Sequence, residues 1–370
     1  MKIPLVDLKA QYRQIKGEID AAIDGVLENT AFIKGKYVEE FENNYKREFG
    51  VKHCIGVANG TDALFISLKA LGIGSGDEVI TVANSWISTS ETISLTGAKP
   101  IFIDIDPDYY TINVKKIKEK ISSKTKAIIP VHLFGHPANM SNIMTIAKAY
   151  GLKVIEDCAQ AHLAKWKDKV VGTIGDVGAF SFFPGKNLGA YGDAGGIITN
   201  NDSLAEKVRM FANHGALVKH SHKIEGINSR LDGLQASILN VKLKYLDKWT
   251  DERIKAANMY TNLLNGIEKL EIPKVDFHAK HVFHLYVIRT KKRDNLIKAL
   301  NENGISTGIH YPTPLPYLDA YKYLNHSKED FPVAMSYKDE ILSLPMYPEL
   351  RTDQIAKISE IIIKKLRSEE

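Results

Sequence analysis

Cysteine is almost missing from this chain. Two residues in 370, Cys54 and Cys158, are too few for a disulfide framework, and they show no metal-ligand spacing. Long apolar runs are missing too. Nothing is long enough to cross a bilayer, and the opening MKIPLVDLKAQYRQ has no uninterrupted apolar core of the kind a signal peptide needs. Both absences point to a cytoplasmic protein with free thiols. Charge is not segregated by sign: 49 Lys and Arg oppose 44 Asp and Glu, interleaved as in KGEID and KREFG, and the net is +5. A nucleic-acid binder would gather its cations on one surface, so that class is excluded, whereas a mild positive balance suits an anionic substrate. There is no internal repeat and no low-complexity segment. What remains is a chain with 44% hydrophobic residues, long enough for one large domain and a smaller one.

Residues 8–26 place Leu8, Tyr12, Ile15, Ile19, Ile23 and Val26 three or four apart, which predicts an amphipathic helix, and a second helix is predicted over 36–49. From Cys54 to about Asn200, short apolar runs (HCIGVAN, DEVITV, KPIFIDI, KAIIPVHLF, KVIEDCA, AFSFF, GGIITN) alternate with helical stretches, VKKIKEKI among them. That alternation predicts an α/β fold whose mostly parallel central sheet is flanked by helices, with ligands at the carboxyl ends of the strands. A long helix is expected over 230–248. After it, HVFHLYVIR, RDNLIKALNENG and STGIHYP read as two strands and a helix, closed by a helix near 354–366. This gives a large domain over 1–249 and a smaller α+β domain over 250–370.

Three elements carry chemistry. In AFSFFPGKNLGAYGDAGG, Lys186 sits between glycines. It is not a P-loop lysine, because Phe180 and Asn187 occupy positions where that motif needs Gly and Ser or Thr. LGIGSGDE fails as a dinucleotide fingerprint, since its glycines precede a strand. The alternatives for Lys186 are a surface residue or a Schiff-base lysine, whose site must lower its pKa. KVIEDCAQAH reads as a buried strand ending in Asp157, either a helix cap or the carboxylate that a pyridoxal ring nitrogen requires. In GVANGTDALFISL a strand turns into a helix at Asn59-Gly60-Thr61, either a routine turn or an anion site at a helix N-terminus.

Together with GDEVIT, PVHLFGH, GINSRLDGLQASIL and GISTGIHYP, these motifs resemble the sugar aminotransferases of the DegT/DnrJ/EryC1/StrS family, within the fold-type I pyridoxal phosphate enzymes, over nearly the whole chain. The resemblance implies pyridoxal 5′-phosphate as cofactor, with Lys186 as the lysine that holds it and Asp157 on the pyridine nitrogen. It places Gln160 at the ring hydroxyl, Trp86 stacked on the ring, and Gly60, Thr61 and Ser181 around the phosphate. It also implies that Asn228 and Arg230 are lent to a partner subunit's cofactor phosphate, hence a homodimer with shared sites, and that His310 and Tyr311 line the sugar site. Outside the resemblance, Trp86, His310 and Tyr311 could be structural aromatics and Arg230 a surface ion pair. His214, His220 and His222 in HGALVKHSHK lack a fourth ligand and read as a mobile loop near the active site, turned toward a substrate diphosphate.

The activity this implies is transfer of an amino group from glutamate to a nucleotide-linked keto sugar. The run FFPGKNLGAYGDAG favours C-3 of a dTDP-linked 3-keto-6-deoxyhexose. A C-4 enzyme, a UDP-linked 3-keto sugar and a non-catalytic pyridoxal-binding regulator are the alternatives.

Overall fold

The computed structural model describes residues 2–367. Along the chain, α1 (Leu8–Glu28) and α2 (Lys36–Phe49) precede β1 (His53–Val57), α3 (Gly60–Ala70), β2 (Glu78–Val82), α4 (Ser88–Leu95), β3 (Lys99–Ile103) and β4 (Thr125–Ile129). Next come α5 (Met140–Tyr150), β5 (Lys153–Asp157), the short strands β6 (Lys165–Trp166) and β7 (Lys169–Val170), β8 (Val177–Ser181), β9 (Gly195–Thr199) and α6 (Asp202–Phe211). The remainder holds α7 (Gly233–Leu243), α8 (Leu246–Leu264), β10 (Ala279–Lys280), β11 (Tyr286–Arg289), α9 (Arg293–Glu302), α10 (Pro332–Tyr337), β12 (Ile341–Leu344) and α11 (Thr352–Arg367). Local chemistry sets several boundaries. Asp7, Asn59, Asn139, Asn201 and Asp232 each accept a backbone N–H in the first turn of the helix they precede, and Gly50 and Gly151 end α2 and α5 in the left-handed conformation.

Seven strands form one sheet in the order β1-β9-β8-β5-β4-β2-β3, with only β9 antiparallel to its neighbours. Strand periodicity sends alternate residues to opposite faces. Ile55, Val79, Ala127, Ile129, Ile155, Val177 and Ile197 pack with α3 and α6 on one side. Cys54, Ile80, Ile128, Val154, Phe180 and Ile198 face the other, against α2, α5 and α7. Both faces are covered, so the strands read as near-continuous apolar runs. Phe41 and Tyr45 of α2 meet Phe182, just past β8, at 5.3 and 5.4 Å in edge-on geometry. Such pairs add about 0.5–1.5 kcal/mol each beyond area burial, and they hold down the segment that leads to Lys186.

A separate core joins Ile3 to Tyr260, Ile288, Leu296, Leu342, Leu344 and Ile358. Its two-stranded sheet pairs β11 with β12, Ile288 opposite Leu342. The expected second strand at STGIHYP is not one. That segment makes a single bridge, Gly308 to Ser343, and β12 takes the place beside β11 because all four of its residues, Ile341–Leu344, are buried. The expected long helix over 230–248 is broken at Lys244-Tyr245, so position 250 lies inside α8. VKKIKEKI makes two 3-10 turns, Val114–Lys116 and Lys118–Lys120. Of its residues only Ile117 is fully buried, and so short a segment has too little apolar anchorage to offset helix nucleation. No helix among the described residues is long and apolar enough to cross a membrane.

Candidate active site

Asp157 and Ser181 are the last residues of β5 and β8, Gly60 follows β1, and Trp86 follows β2. These strands run the same way, so the four residues meet at the carboxyl edge of the sheet, where a cavity of about 480 Å³ opens. Nine of the residues singled out in the sequence line it: Gly60, Thr61, Trp86, Asp157, Gln160, Ser181, Lys186, His310 and Tyr311. Asn228 and Arg230 do not. They lie on the stretch leading into α7, which bridges back from Asn228 to Asn213.

Lys186 Nζ makes no hydrogen bond or ion pair with a described residue. Burial in the cavity wall lowers its pKa to about 8, against the opposing pull of Asp157. Asp157 is 5% exposed, and burial pushes its carboxyl up. Two donors resist that shift: Thr89 Oγ1 gives a hydrogen bond to Oδ2 at 2.8 Å and the Ala159 N–H one to Oδ1 at 3.1 Å. No helix starts after Asp157, so it caps none. A buried carboxylate that forms no direct ion pair with a described residue suits the protonated nitrogen of a flat ring.

At the turn after β1, Asn59 accepts the Asp62 N–H at 2.7 Å and α3 opens with its first amides unpaired. Gly60 is held against Ser181, where a Cβ would lie 2.6 Å from the serine Cβ. Thr61 Oγ1 lies 2.7 Å from Ser88 Oγ. Backbone amides, two hydroxyls and the positive end of a helix are the groups from which an anion site is built. Trp86 is 60% exposed and is therefore not a core residue; its ring centre is 5.9 Å from that of Tyr311. Gln160 is more constrained than expected. Its Oε1 accepts the Phe134 N–H at 2.6 Å and its Nε2 donates to the Tyr311 hydroxyl at 3.0 Å, which leaves one amide N–H for a ring hydroxyl. His310 shares a 2.8 Å hydrogen bond between Nδ1 and Ser343 Oγ, and burial, then Lys186, lowers its pKa to about 4.

Sequence reasoning missed several lining groups. Ser85 and Thr89 lie 2.8 Å apart, so the hydroxyl that supports Asp157 is itself supported. The run of Ser and Thr opening a buried α4 was the available signal. His284, from the segment before β11, and Leu5 and Val6, ahead of α1, come from the other end of the chain and left no local trace. His214, His220 and His222 are exposed and none lines the cavity. A tighter group, His132, Glu156 and Cys158, has ligand-type atoms within 4.8 Å. It offers no metal site, because His132 Nδ1 accepts the Ala138 N–H and Nε2 must then donate to Glu156.

Known proteins fit this geometry. The family model for the DegT/DnrJ/EryC1/StrS aminotransferases matches residues 13–363. A pleiotropic regulatory protein of Geobacillus stearothermophilus is 46% identical, covering 97% of this chain and 98% of its own. A UDP-N-acetyl-3-dehydro-alpha-D-glucosamine 3-aminotransferase of Acidithiobacillus ferrooxidans is 42% identical over 98% of both chains. A dTDP-3-amino-3,6-dideoxy-alpha-D-galactopyranose transaminase of Aneurinibacillus thermoaerophilus is also 42% identical, over 97% of this chain and 98% of its own. Among solved structures, S. venezuelae DesV in complex with a ketimine intermediate superposes with a TM-score of 0.97 at 38% identity, over 99% of this chain and 98% of that one. With an unpaired amine, a buried carboxylate and a helix N-terminus around one cavity, the chain belongs to the DegT/DnrJ/EryC1/StrS aminotransferase family and is an enzyme whose cofactor is pyridoxal 5′-phosphate.

Proposed function

We propose that this protein transfers an amino group from glutamate to C-3 of a nucleotide-linked 3-keto-6-deoxyhexose carried on dTDP. The observation that carries the reading is the pairing of Lys186, unpartnered and with its pKa lowered to about 8, with the buried Asp157 in one cavity. When bound, pyridoxal phosphate supplies the electron sink that a carbanion at the donor α-carbon requires. The protein's own residues do the rest. At pH 7 about a tenth of a group with pKa 8 is the neutral amine, roughly 300-fold more than for an ordinary lysine, so Lys186 can attack a carbonyl carbon. Once displaced by the donor, the Lys186 amine removes the proton from the donor α-carbon and returns it to C4′ of the cofactor. Asp157 holds the ring nitrogen's proton, with Thr89 and Ala159 keeping the carboxylate charged. Gly60, Thr61 and Ser181 bind the phosphate, Trp86 covers the ring, Gln160 reaches its hydroxyl, and His310 and Tyr311 face the sugar. In a second stage the same groups run the sequence backward onto the sugar ketone.

Asn228 and Arg230 serve the partner's cofactor phosphate in a homodimer, a role consistent with their place outside their own cavity. The two aminating relatives described above both carry C-3 in their names, one on UDP and one on dTDP, at the same 42% identity. A UDP-linked 3-keto sugar is therefore the second reading.

The test is a half-reaction. The enzyme is converted with glutamate to its pyridoxamine form, then mixed separately with 3-keto and 4-keto sugars on dTDP and on UDP while recovery of the pyridoxal absorbance is followed. Recovery with the dTDP-linked 3-keto sugar supports the proposal. Recovery only on UDP, or only with a 4-keto sugar, replaces the carrier or the carbon. Failure of the glutamate step itself supports a regulator.

A further inference from the structure

Lys242 is a lysine in the interior, and nothing above gives it a task. It lies near the end of α7 at 1% exposure, between the buried Val241 and Leu243. Burial lowers its pKa to about 7, against the opposing charge of Glu349. That carboxylate is no direct partner, since neither of its oxygens makes a hydrogen bond with a described residue. A buried charge costs stability, and an apolar side chain of similar volume often serves a fold as well or better. Packing therefore gives no reason for a lysine here. Its hydrogen bond does.

Lys242 Nζ donates to the Gly189 carbonyl at 2.6 Å and stands 4.4 Å from the centre of the Tyr191 ring. Gly189 belongs to the excursion that carries Lys186. That loop leaves β8 through Phe182 and returns at Ala190, whose N–H closes onto the Phe182 carbonyl at 2.8 Å. Inside it, the Lys186 N–H reaches the Phe183 carbonyl at 2.9 Å. The returning limb lies directly on the outgoing one, for a Cβ at Gly189 would stand 2.4 Å from the Pro184 carbonyl oxygen. Gln235, seven residues before Lys242 and so on the same face of α7, accepts the Tyr191 N–H at 2.9 Å. The helix thus grips the returning limb at two points, a carbonyl and an amide, and Lys242 takes the one nearer Lys186 in sequence. A charged donor on a carbonyl makes a shorter and stronger bond than a neutral one.

We propose that Lys242 is a positioning residue for Lys186, its amine holding the Gly189 carbonyl so that the 183–190 loop stays closed on itself while the Lys186 side chain works. This rests on the reading of Lys186 as the cofactor lysine. The Lys186 side chain must itself stay free to leave one carbon and serve another, so its aim has to come from the backbone beneath it. Aim of that kind decides how often the reacting atoms meet correctly.

Lys242→Met keeps most of the side-chain volume and removes the donor, which separates the hold on Gly189 from packing. In the cofactor-free protein, hydrogen–deuterium exchange across the loop is followed by peptide mass spectrometry. K242M is expected to speed exchange at the Lys186 and Ala190 amides about tenfold, with the sheet amides unmoved and the melting temperature equal to wild type or higher. In the loaded enzyme it slows the glutamate half-reaction about tenfold with KM for glutamate unchanged. Lys242→Leu, a second apolar replacement, is expected to behave alike. Glu349→Gln keeps the amine and removes the opposing charge, and both readings should stay within about threefold of wild type. Unmoved loop exchange in K242M overturns the proposal, and so does faster loop exchange with an unchanged rate. Exchange that rises through the sheet as well would make Lys242 a packing residue, and an equal loss in E349Q would place the effect in the surrounding charges; either overturns it. Borohydride reduction of the loaded enzyme that marks a different lysine refutes the Lys186 reading and takes this proposal with it. The mark on Lys186 with unmoved loop exchange defeats the positioning role alone.

Discussion

Thr89→Val is the most informative single change at the carboxylate. Valine matches threonine in shape, so the perturbation is chemical: Asp157 Oδ2 loses its 2.8 Å donor, and Ser85 loses its partner. A hydrogen bond to a charged group contributes about 1.5–3 kcal/mol, and its loss at a buried site is not made good by water. Expressed at the ring nitrogen, that is a tenfold to roughly hundredfold slower proton transfer in the glutamate half-reaction. The direction in pH follows from the same bond. Burial raises the Asp157 pKa and Thr89 is the larger of the two donors opposing it, so without Thr89 the carboxyl rises further and takes up a proton at a higher pH. Because the ionised form is required, the acid limb of the rate profile moves up by about one unit. Stopped-flow decay of the pyridoxal absorbance, measured from pH 5 to 9, reads both effects, and Thr89→Ser, which restores a hydroxyl, is expected to recover most of the rate. A Thr89→Val rate within twofold of wild type, with the acid limb unmoved, would refute the argument that Thr89 keeps Asp157 ionised.

Lys186→Ala is expected to abolish turnover with glutamate; measurable steady-state activity would remove Lys186 from its role. Gly60→Val brings a side chain against Ser181, whose backbone Cα would lie only 3.0 Å from the new Cβ, so cofactor affinity measured by fluorescence titration should fall at least about tenfold, and an unchanged Kd would place the phosphate elsewhere. Arg230→Ala should weaken cofactor retention on its own. Mixed one-to-one with Lys186→Ala and reassembled, it should regain about a quarter of wild-type activity, since half the dimers then carry one intact site; no recovery above either parent would argue against shared sites. Glu156→Ala strips an acceptor from the Ile174 and Gly175 amides and from His132. Urea unfolding should show a loss of about 3–5 kcal/mol, and a loss below about 1 kcal/mol would mean those donors find other partners.

The alternation of apolar runs with helical stretches was enough to anticipate the central sheet, because strands buried on both faces leave an unbroken local signature. β2, with the sequence EVITV, needs no partner to be read. The elements that failed depend on distant neighbours. Ile341–Leu344 is a strand because it pairs with Tyr286–Arg289, some fifty residues earlier, and GIHYP stays irregular because only Gly308 reaches that sheet. The same divide runs through the site. Lys186, Asp157 and Gly60 sit in local contexts that suggest chemistry, a lysine among glycines, an acid closing a strand, a glycine opening a helix. Thr89 meets Asp157 across 68 residues and His284 meets Asn187 across 97, and no spacing rule connects residues so far apart. Gln160 was placed in the right cavity with an incomplete account of its partners, since Tyr311 lies 151 residues on.

The strap formed by residues 3–6 carries a consequence for how the enzyme comes into being. Ile3 exchanges backbone hydrogen bonds with Gly304 and Ser306, and the Leu5 carbonyl receives one from the Met346 N–H. Leu5 and Val6 then form part of the cavity wall. The backbone partners of Ile3 and Leu5 therefore lie some three hundred residues further along the chain. The sheet and the Lys186 loop can assemble while the chain is still growing, as domains commonly do, but the pocket keeps one wall missing until Met346 is made. The last step in making a working site is the docking of residues 3–6 onto a segment that the ribosome delivers three hundred residues later.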